Sequence, residues 1–190
     1  MYRKLFILLL VFNSSCSNQE EMKTETDFFD IKGFFESEVK RLTNKKSTVN
    51  KSVRQNEQSE VKKNLSVDWE NELALFIASD INKPAWKDSY KISGDSVHLN
   101  YLAIDTNLRT RSVEIKKDPK GQAVFFKIKN ITRSKLYESS EELTYIPDSI
   151  YKITKDQSVR FLGKNTYQIS GNKIRTPAPC YPEKQITSCK

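Results

Sequence analysis

The spacing of apolar residues changes as the chain proceeds. From Phe28 to Leu42 (FFDIKGFFESEVKRL), Phe28, Ile31, Phe35, Val39 and Leu42 recur every three or four positions, which predicts an amphipathic helix with one apolar face. Gly33 weakens that helix by about 1 kcal/mol relative to alanine, so core packing has to hold it. The next stretch, TVNKSVRQNEQSEVKKNLSV, reads as a polar two-stranded hairpin turning near Asn56-Glu57, an edge or a mobile flap, because few large apolar residues appear in it. In DWENELALFIASDINKPAW the helical period returns. Asp68 or Ser66 is the expected cap, Trp69, Leu73, Phe76 and Ile77 are the expected buried stripe, and Lys83-Pro84 is the expected end. Trp86 is expected to fold back onto the core.

Beyond Trp86 the period is two. The segments KDSYKI, SVHLNYLAI, RTRSVEIKK, QAVFFKIKN, SKLYES, EELTYI, SIYKI, VRFLG and TYQIS read as strands, with turns at Ser93-Gly94-Asp95 and Asp118-Pro119-Lys120-Gly121. Val113 and Ile115 alternate with Ser112, Glu114 and Lys116, and Val124, Phe126 and Ile128 alternate with Phe125, Lys127 and Lys129, so one face is buried and one is wet. The expected fold is α+β, a single domain in which two helices pack on a curved, mostly antiparallel β-sheet (meander).

The chain's start has a different pattern. Arg3 and Lys4 precede an unbroken apolar run of eight residues, Leu5 to Phe12, and then Ser14 and Ser15. That is the layout of a secretory signal. Eight residues rise about 12 Å as a helix, short of the roughly 30 Å hydrocarbon core, which argues against a permanent span. Cys16 follows the small residues and resembles a bacterial lipobox cysteine, where the thiol takes a diacylglycerol and the signal is cut before it. Asn13 stands where that pattern has an aliphatic residue. An ordinary cleaved signal with a chance cysteine is the alternative. The expected organisation is a lipoprotein signal peptide over 1–15, a polar tether over 16–27, an α+β domain over 28–174 and a Pro- and Cys-containing tail over 175–190. The acids Glu20 and Glu21 in the tether resemble an export signal to the outer face of the outer membrane, which leans the expected location towards the cell surface. The periplasmic face stays open.

Charge and cysteine count refine the picture. Removing Arg3 and Lys4 with the signal lowers the formal charge from +8 to about +6. The basic balance suits anionic partners such as lipid headgroups or acidic glycans, and an exported chain without a dense basic helical stripe argues against nucleic acid. With Cys16 lipidated, Cys180 and Cys189 remain as candidates for a disulfide around Tyr181 to Ser188, with free thiols as the alternative. No histidine lies near them, which disfavours metal there.

Catalytic chemistry has little to build on. His98 is the one histidine, so metal sites and a Ser-His-Asp triad depend on it alone, and in SVHLNYLAI it reads as a plain strand residue pointing away from Val97 and Leu99. Ser-x-x-Lys occurs at Ser37/Lys40, Ser59/Lys62 and Ser170/Lys173, scattered copies of a cheap pattern. Glu141 and Glu142 are adjacent on a strand and face opposite ways, a poor pair for a glycosidase. Neither a metal nor any other cofactor is expected. Asp95-Ser96-Val97 and Asp148-Ser149-Ile150 are similar to the O-glycosylation acceptor of exported Bacteroidota proteins, which makes Ser96 and Ser149 candidates, although Asp-Ser is also ordinary turn chemistry.

Across DIKGFFESEVKRL, DWENELALFIASDINKPAWKDSY, LRTRSVEIKK and EELTYIPDSIYKI the chain resembles a family of small uncharacterised lipoproteins of Bacteroidota. The resemblance spans most of Phe28 to Ile174 and implies a shared fold and an outer-membrane setting, without site residues. The expected function is therefore a non-enzymatic, lipid-anchored outer-membrane module that binds an apolar or anionic ligand or an envelope protein. Phe125, Tyr137, Tyr145 and Tyr151 are candidates for lining a groove or for ordinary core. A structural accessory subunit of an envelope complex and an unrecognised hydrolase are the alternatives.

Overall fold

The computed structural model describes residues 28–173. Its elements in chain order are α1 (Ile31–Asn44), β1 (Thr48–Gln55), β2 (Gln58–Ser66), α2 (Trp69–Ile77), a 3-10 turn (Pro84–Trp86), β3 (Tyr90–Gly94), β4 (His98–Ala103), β5 (Thr110–Lys117), β6 (Ala123–Arg133), β7 (Tyr137–Ile146), β8 (Ile150–Val159) and β9 (Gly163–Lys173). The expected α+β class holds: two helices lie on one face of a nine-stranded antiparallel sheet.

Both helices start where the sequence places a cap. Asp30 accepts from the Gly33 amide at 2.8 Å, and Asp68 accepts from the Glu70 amide at 3.0 Å. Each carboxylate satisfies an amide that the first turn leaves free. Gly33 has a local reason: a Cβ there would lie 2.2 Å from the capping carboxylate. The second helix ends earlier than Lys83-Pro84 predicts. Ser79 folds its hydroxyl back on the Leu75 carbonyl at 2.7 Å, and its amide bonds Phe76 rather than the residue four back, so the last turn tightens and stops. Pro84 instead opens the 3-10 turn, and Trp86 packs half-buried against the core.

The sheet runs β2-β1-β9-β8-β7-β6-β5-β4-β3. Strands β3 to β9 form the expected meander. The polar hairpin turns at Asn56-Glu57 as read and supplies the edge strand β2. It is not a separate flap, because β1 pairs with the last strand, from Val49 opposite Lys173 to Gln55 opposite Tyr167. Two further expectations are corrected. SKLYES and EELTYI contribute to one strand, β7, and Arg160, Phe161 and Leu162 of VRFLG form the β8–β9 turn. Val124 does not share the buried face of Phe126 and Ile128. The β5–β6 register shifts between Lys116 and Lys117, and this bulge leaves Val124 exposed.

The core is aromatic at its centre. Phe35 stacks within 5.1 Å of the ring centres of Phe76, Phe126 and Tyr145, and Phe28 sits edge-on to Tyr90 and Tyr101. The other face of the sheet carries Ser, Thr, Gln, Lys and Glu side chains, such as Thr144, Thr154, Gln168 and Lys127.

Candidate functional site: a groove beside a buried acid network

The apolar stripe of α1 contains an acid. Glu38 is buried on the same face as Ile31, Phe35 and Leu42. Arg41, one turn on, grips it with two bonds of 2.6 Å, Nε to Oε1 and Nη2 to Oε2, while the Tyr145 hydroxyl donates to Oε2. Arg41 then reaches across to Asp148 in the β7–β8 turn at 2.9 Å, and Lys173 at the end of β9 donates to the same carboxylate. Burial pushes the Asp148 carboxyl up, but the bonds from Lys173 and Arg41 outweigh it and hold the group at about 2. Burial first, and then the Glu38 bond, push the Tyr145 hydroxyl well above the usual tyrosine range.

α2 repeats the device. Glu72 accepts from the Tyr151 hydroxyl at 2.6 Å and from Lys51 of β1. Gly171 makes room for it, since a Cβ there would lie 2.1 Å from the Tyr151 ring. A third acid, Glu141, is buried like Glu38 and takes Arg109 at 2.7 Å and Lys155 at 3.3 Å, and Arg109 also donates to the Ala78 carbonyl behind α2. Each carboxylate is held by cations or hydroxyls from the sheet and the helices, so the network fixes helices to strands. The pattern has a signal in the sequence: Glu38 and Glu72 stand at helical spacing from Phe35 and Trp69, inside stripes that should be apolar.

Beside the first of these clusters lies a groove of about 520 Å³ between α1 and the β5–β6 and β7–β8 turns. Phe29, Phe34, Ala123 and Pro147 form its apolar lining, and Glu38, Arg41 and Asp148 form its polar wall. That wall is already bonded to itself, so the unused capacity is the aromatic surface. Lys117, outside this lining, places Nζ 5.6 Å from the Phe29 ring centre.

The residues singled out from sequence fall apart in space. Cys16, Cys180 and Cys189 lie outside the described residues. Ser96 is exposed in the β3–β4 turn, where Asp95 accepts from the Val97 and His98 amides at 2.8 and 2.7 Å, so the turn chemistry is realised. Ser149 is half-buried beside Asp148, whose carboxylate is engaged by Arg41 and Lys173. His98 is exposed on the sheet face away from the helices, opposite Lys116. Ser37 bonds the Phe34 carbonyl on the solvent side of α1. Glu141 and Glu142 do face opposite ways, the latter paired with Lys127 at 2.8 Å in the open. Of the four aromatics, Tyr145 and Tyr151 are core, Tyr137 is half-buried near a strand end, and Phe125 is half-buried on the far face under Lys116. None of the four lines the groove beside α1. Among the described residues, no group of three His, Cys, Asp or Glu side chains is placed to hold a metal ion, and no helix is long and apolar enough to cross a membrane.

Set against family models, curated proteins and solved structures, the chain matches none of them.

Proposed function

We propose that this protein is a non-enzymatic, lipid-anchored binding module of the outer membrane, held by acyl chains on Cys16, which takes a small ligand with an apolar body and an anionic head. The groove beside α1 carries the ligand half of the reading. Its polar wall is internally satisfied, its aromatic floor is half-exposed, and the Lys117 ammonium next to Phe29 offers a counter-charge to an anionic head. The sequence around Cys16 carries the anchor half.

The two halves are tested separately. Intact mass of the native protein should show acyl chains that Cys16→Ala removes; an unacylated mass independent of Cys16 ends the anchor. Native mass spectrometry of protein from its own host should show one recurrent small adduct. Gln122→Trp, which places a bulky ring at the exposed mouth of the groove, should abolish it. Repeatedly empty protein would end the ligand reading.

The far face of the sheet supports a second reading, an accessory subunit of an envelope complex. Two polar hollows of about 320 and 250 Å³ meet there at Thr166, over β7, β8, β9 and the end of β1. Cross-linking in intact cells should then recover one dominant partner through that face, and a scatter of unrelated proteins would sink it.

A further inference from the structure

Two hairpins stand clear of the rest of the sheet at one end. On one side, the β1–β2 turn stops where the Asn56 amide bonds the Thr166 carbonyl, so β9 runs on through Asn165, Lys164 and Gly163. On the other side, the last backbone bond to the segment entering β5 is from the Ile131 amide to the Arg109 carbonyl at 2.8 Å, so the β6–β7 hairpin runs on through Thr132, Arg133 and Ser134. The β6–β7 and β8–β9 hairpins therefore project together by about three residues, roughly 10 Å of strand. They are joined up to their tips: Tyr137 pairs with Val159, and the Arg160 amide bonds the Leu136 carbonyl at 3.0 Å.

The tips carry the wrong residues for a free turn. Leu136, Phe161 and Leu162 are 57, 83 and 81 % exposed, the last two being the most exposed large apolar side chains among the described residues. Turns ordinarily carry small polar residues. Around these three stand Arg133, Lys135, Arg160 and Lys164, against one carboxylate, Glu138, which pairs with Arg133 at 2.9 Å. Lys135, Arg160 and Lys164 take part in no ion pair among the described residues. An aromatic and two leucines at an apex, ringed by cations, is the composition of a membrane interface, where apolar groups enter the acyl boundary and ammonium or guanidinium groups meet phosphates. The projection of about 10 Å matches the 5–10 Å depth of that layer.

We propose that the paired tips of the β6–β7 and β8–β9 hairpins are a lipid-surface contact, with Leu136, Phe161 and Leu162 entering the interface of an anionic bilayer and Lys135, Arg160 and Lys164 binding its headgroup phosphates. The contact needs no acyl chain, so it stands or falls independently of Cys16 and of the groove.

The test uses the full chain carrying Cys16→Ala, mixed with vesicles of phosphatidylglycerol and phosphatidylethanolamine and, separately, of phosphatidylcholine. Phe161→Trp should shift its added emission to the blue on the anionic vesicles, while Val61→Trp on the edge strand should not. Phe161→Ser with Leu162→Ser should lower partitioning about tenfold or more. Lys135→Gln with Arg160→Gln should lower it about tenfold on anionic vesicles and leave the neutral ones unchanged. Far-UV circular dichroism checks that each variant is folded. An unshifted Phe161→Trp spectrum overturns the proposal, even where the chain pellets through its apolar N-terminal run. So does self-association without vesicles that the serine pair abolishes, which would give the tips to a second copy of this chain.

Discussion

Strand β7 passes through two environments. At Tyr145 its side chain lies under α1, with the rings of Phe35 and Phe76 within 5.8 Å and its hydroxyl on Glu38. Eight residues earlier it leaves a turn in which Leu136 is exposed and the nearest charges, Lys135 and Arg133, face solvent. The same sheet thus has an end where even acids are buried and bonded, and an end where apolar residues are left out. The helices account for the first, since they supply both the apolar cover and the carboxylates that meet the tyrosines. At the second, exposure cannot be serving the core. A sheet's stability is concentrated where a second layer covers it, and side chains beyond that layer are free to answer other demands.

The contrast can be broken hardest at Phe35. Phe35→Ala removes the ring shared by Phe76, Phe126 and Tyr145 and should cost about 3–5 kcal/mol in urea unfolding. A loss under 1 kcal/mol would mean that α1 is not the cover described. Next is Glu38→Ala, which strips Arg41 and Tyr145 of their shared acceptor and should cost about 2–3 kcal/mol. Glu38→Gln keeps one acceptor oxygen and should cost less. Gly171→Ala drives a methyl into the Tyr151 ring and should cost about 1–3 kcal/mol, read from the same transitions.

Alkaline pH sharpens the comparison without mutation. Burial pushes the hydroxyls of Tyr90, Tyr145 and Tyr151 up, Tyr90 to about 12. In the unfolded chain they ionise near 10. Their contribution is therefore full below pH 10 and is lost as pH rises above it, because the unfolded chain sheds protons that the folded one keeps. Stability should fall from about pH 10 upwards, and tyrosinate absorbance should lag for these residues until the protein unfolds. Tyr145→Phe with Tyr151→Phe should flatten that slope. The smallest effect belongs to the projecting end: Phe161→Ser with Leu162→Ser should leave the unfolding midpoint within about 0.5 kcal/mol of the parent.

Much of the fold could be read along the chain because it is written in local terms. Asp30 and Asp68 begin helices, Asn56-Glu57 turns a hairpin, and Val113, Ile115, Phe126 and Ile128 face inward. Each depends on residues within a turn or a strand of itself. The local rule fails where a neighbour distant in sequence competes with it. Ser79 ends α2 early beside Asn130 and Thr110, whose side chains bond its oxygens. Phe161 and Leu162 look like strand residues but occupy a turn, since apolar character alone does not report burial. Of the candidate site, Tyr145 is legible in the sequence and its partners Glu38 and Arg41 are not, because a charged residue on a helix reads as solvent-facing until the opposing strand supplies a donor.

The sequence by itself determined the period of most segments, the caps, most turns and the arrangement around Cys16, all set by covalent neighbours and solvent preference. Only the tertiary structure decided that β1 lies against β9, which turned the hairpin from a flap into part of the sheet. It also decided that Glu38 and Glu141 are buried and Glu72 is half-buried, and that two turns 26 residues apart form one basic, apolar apex. Backbone bonding between strands that meet through space carries no local signature. A buried charge is tolerable only where it is paired, and beside the local Arg41 the second partner of Glu38, Tyr145, arrives from β7.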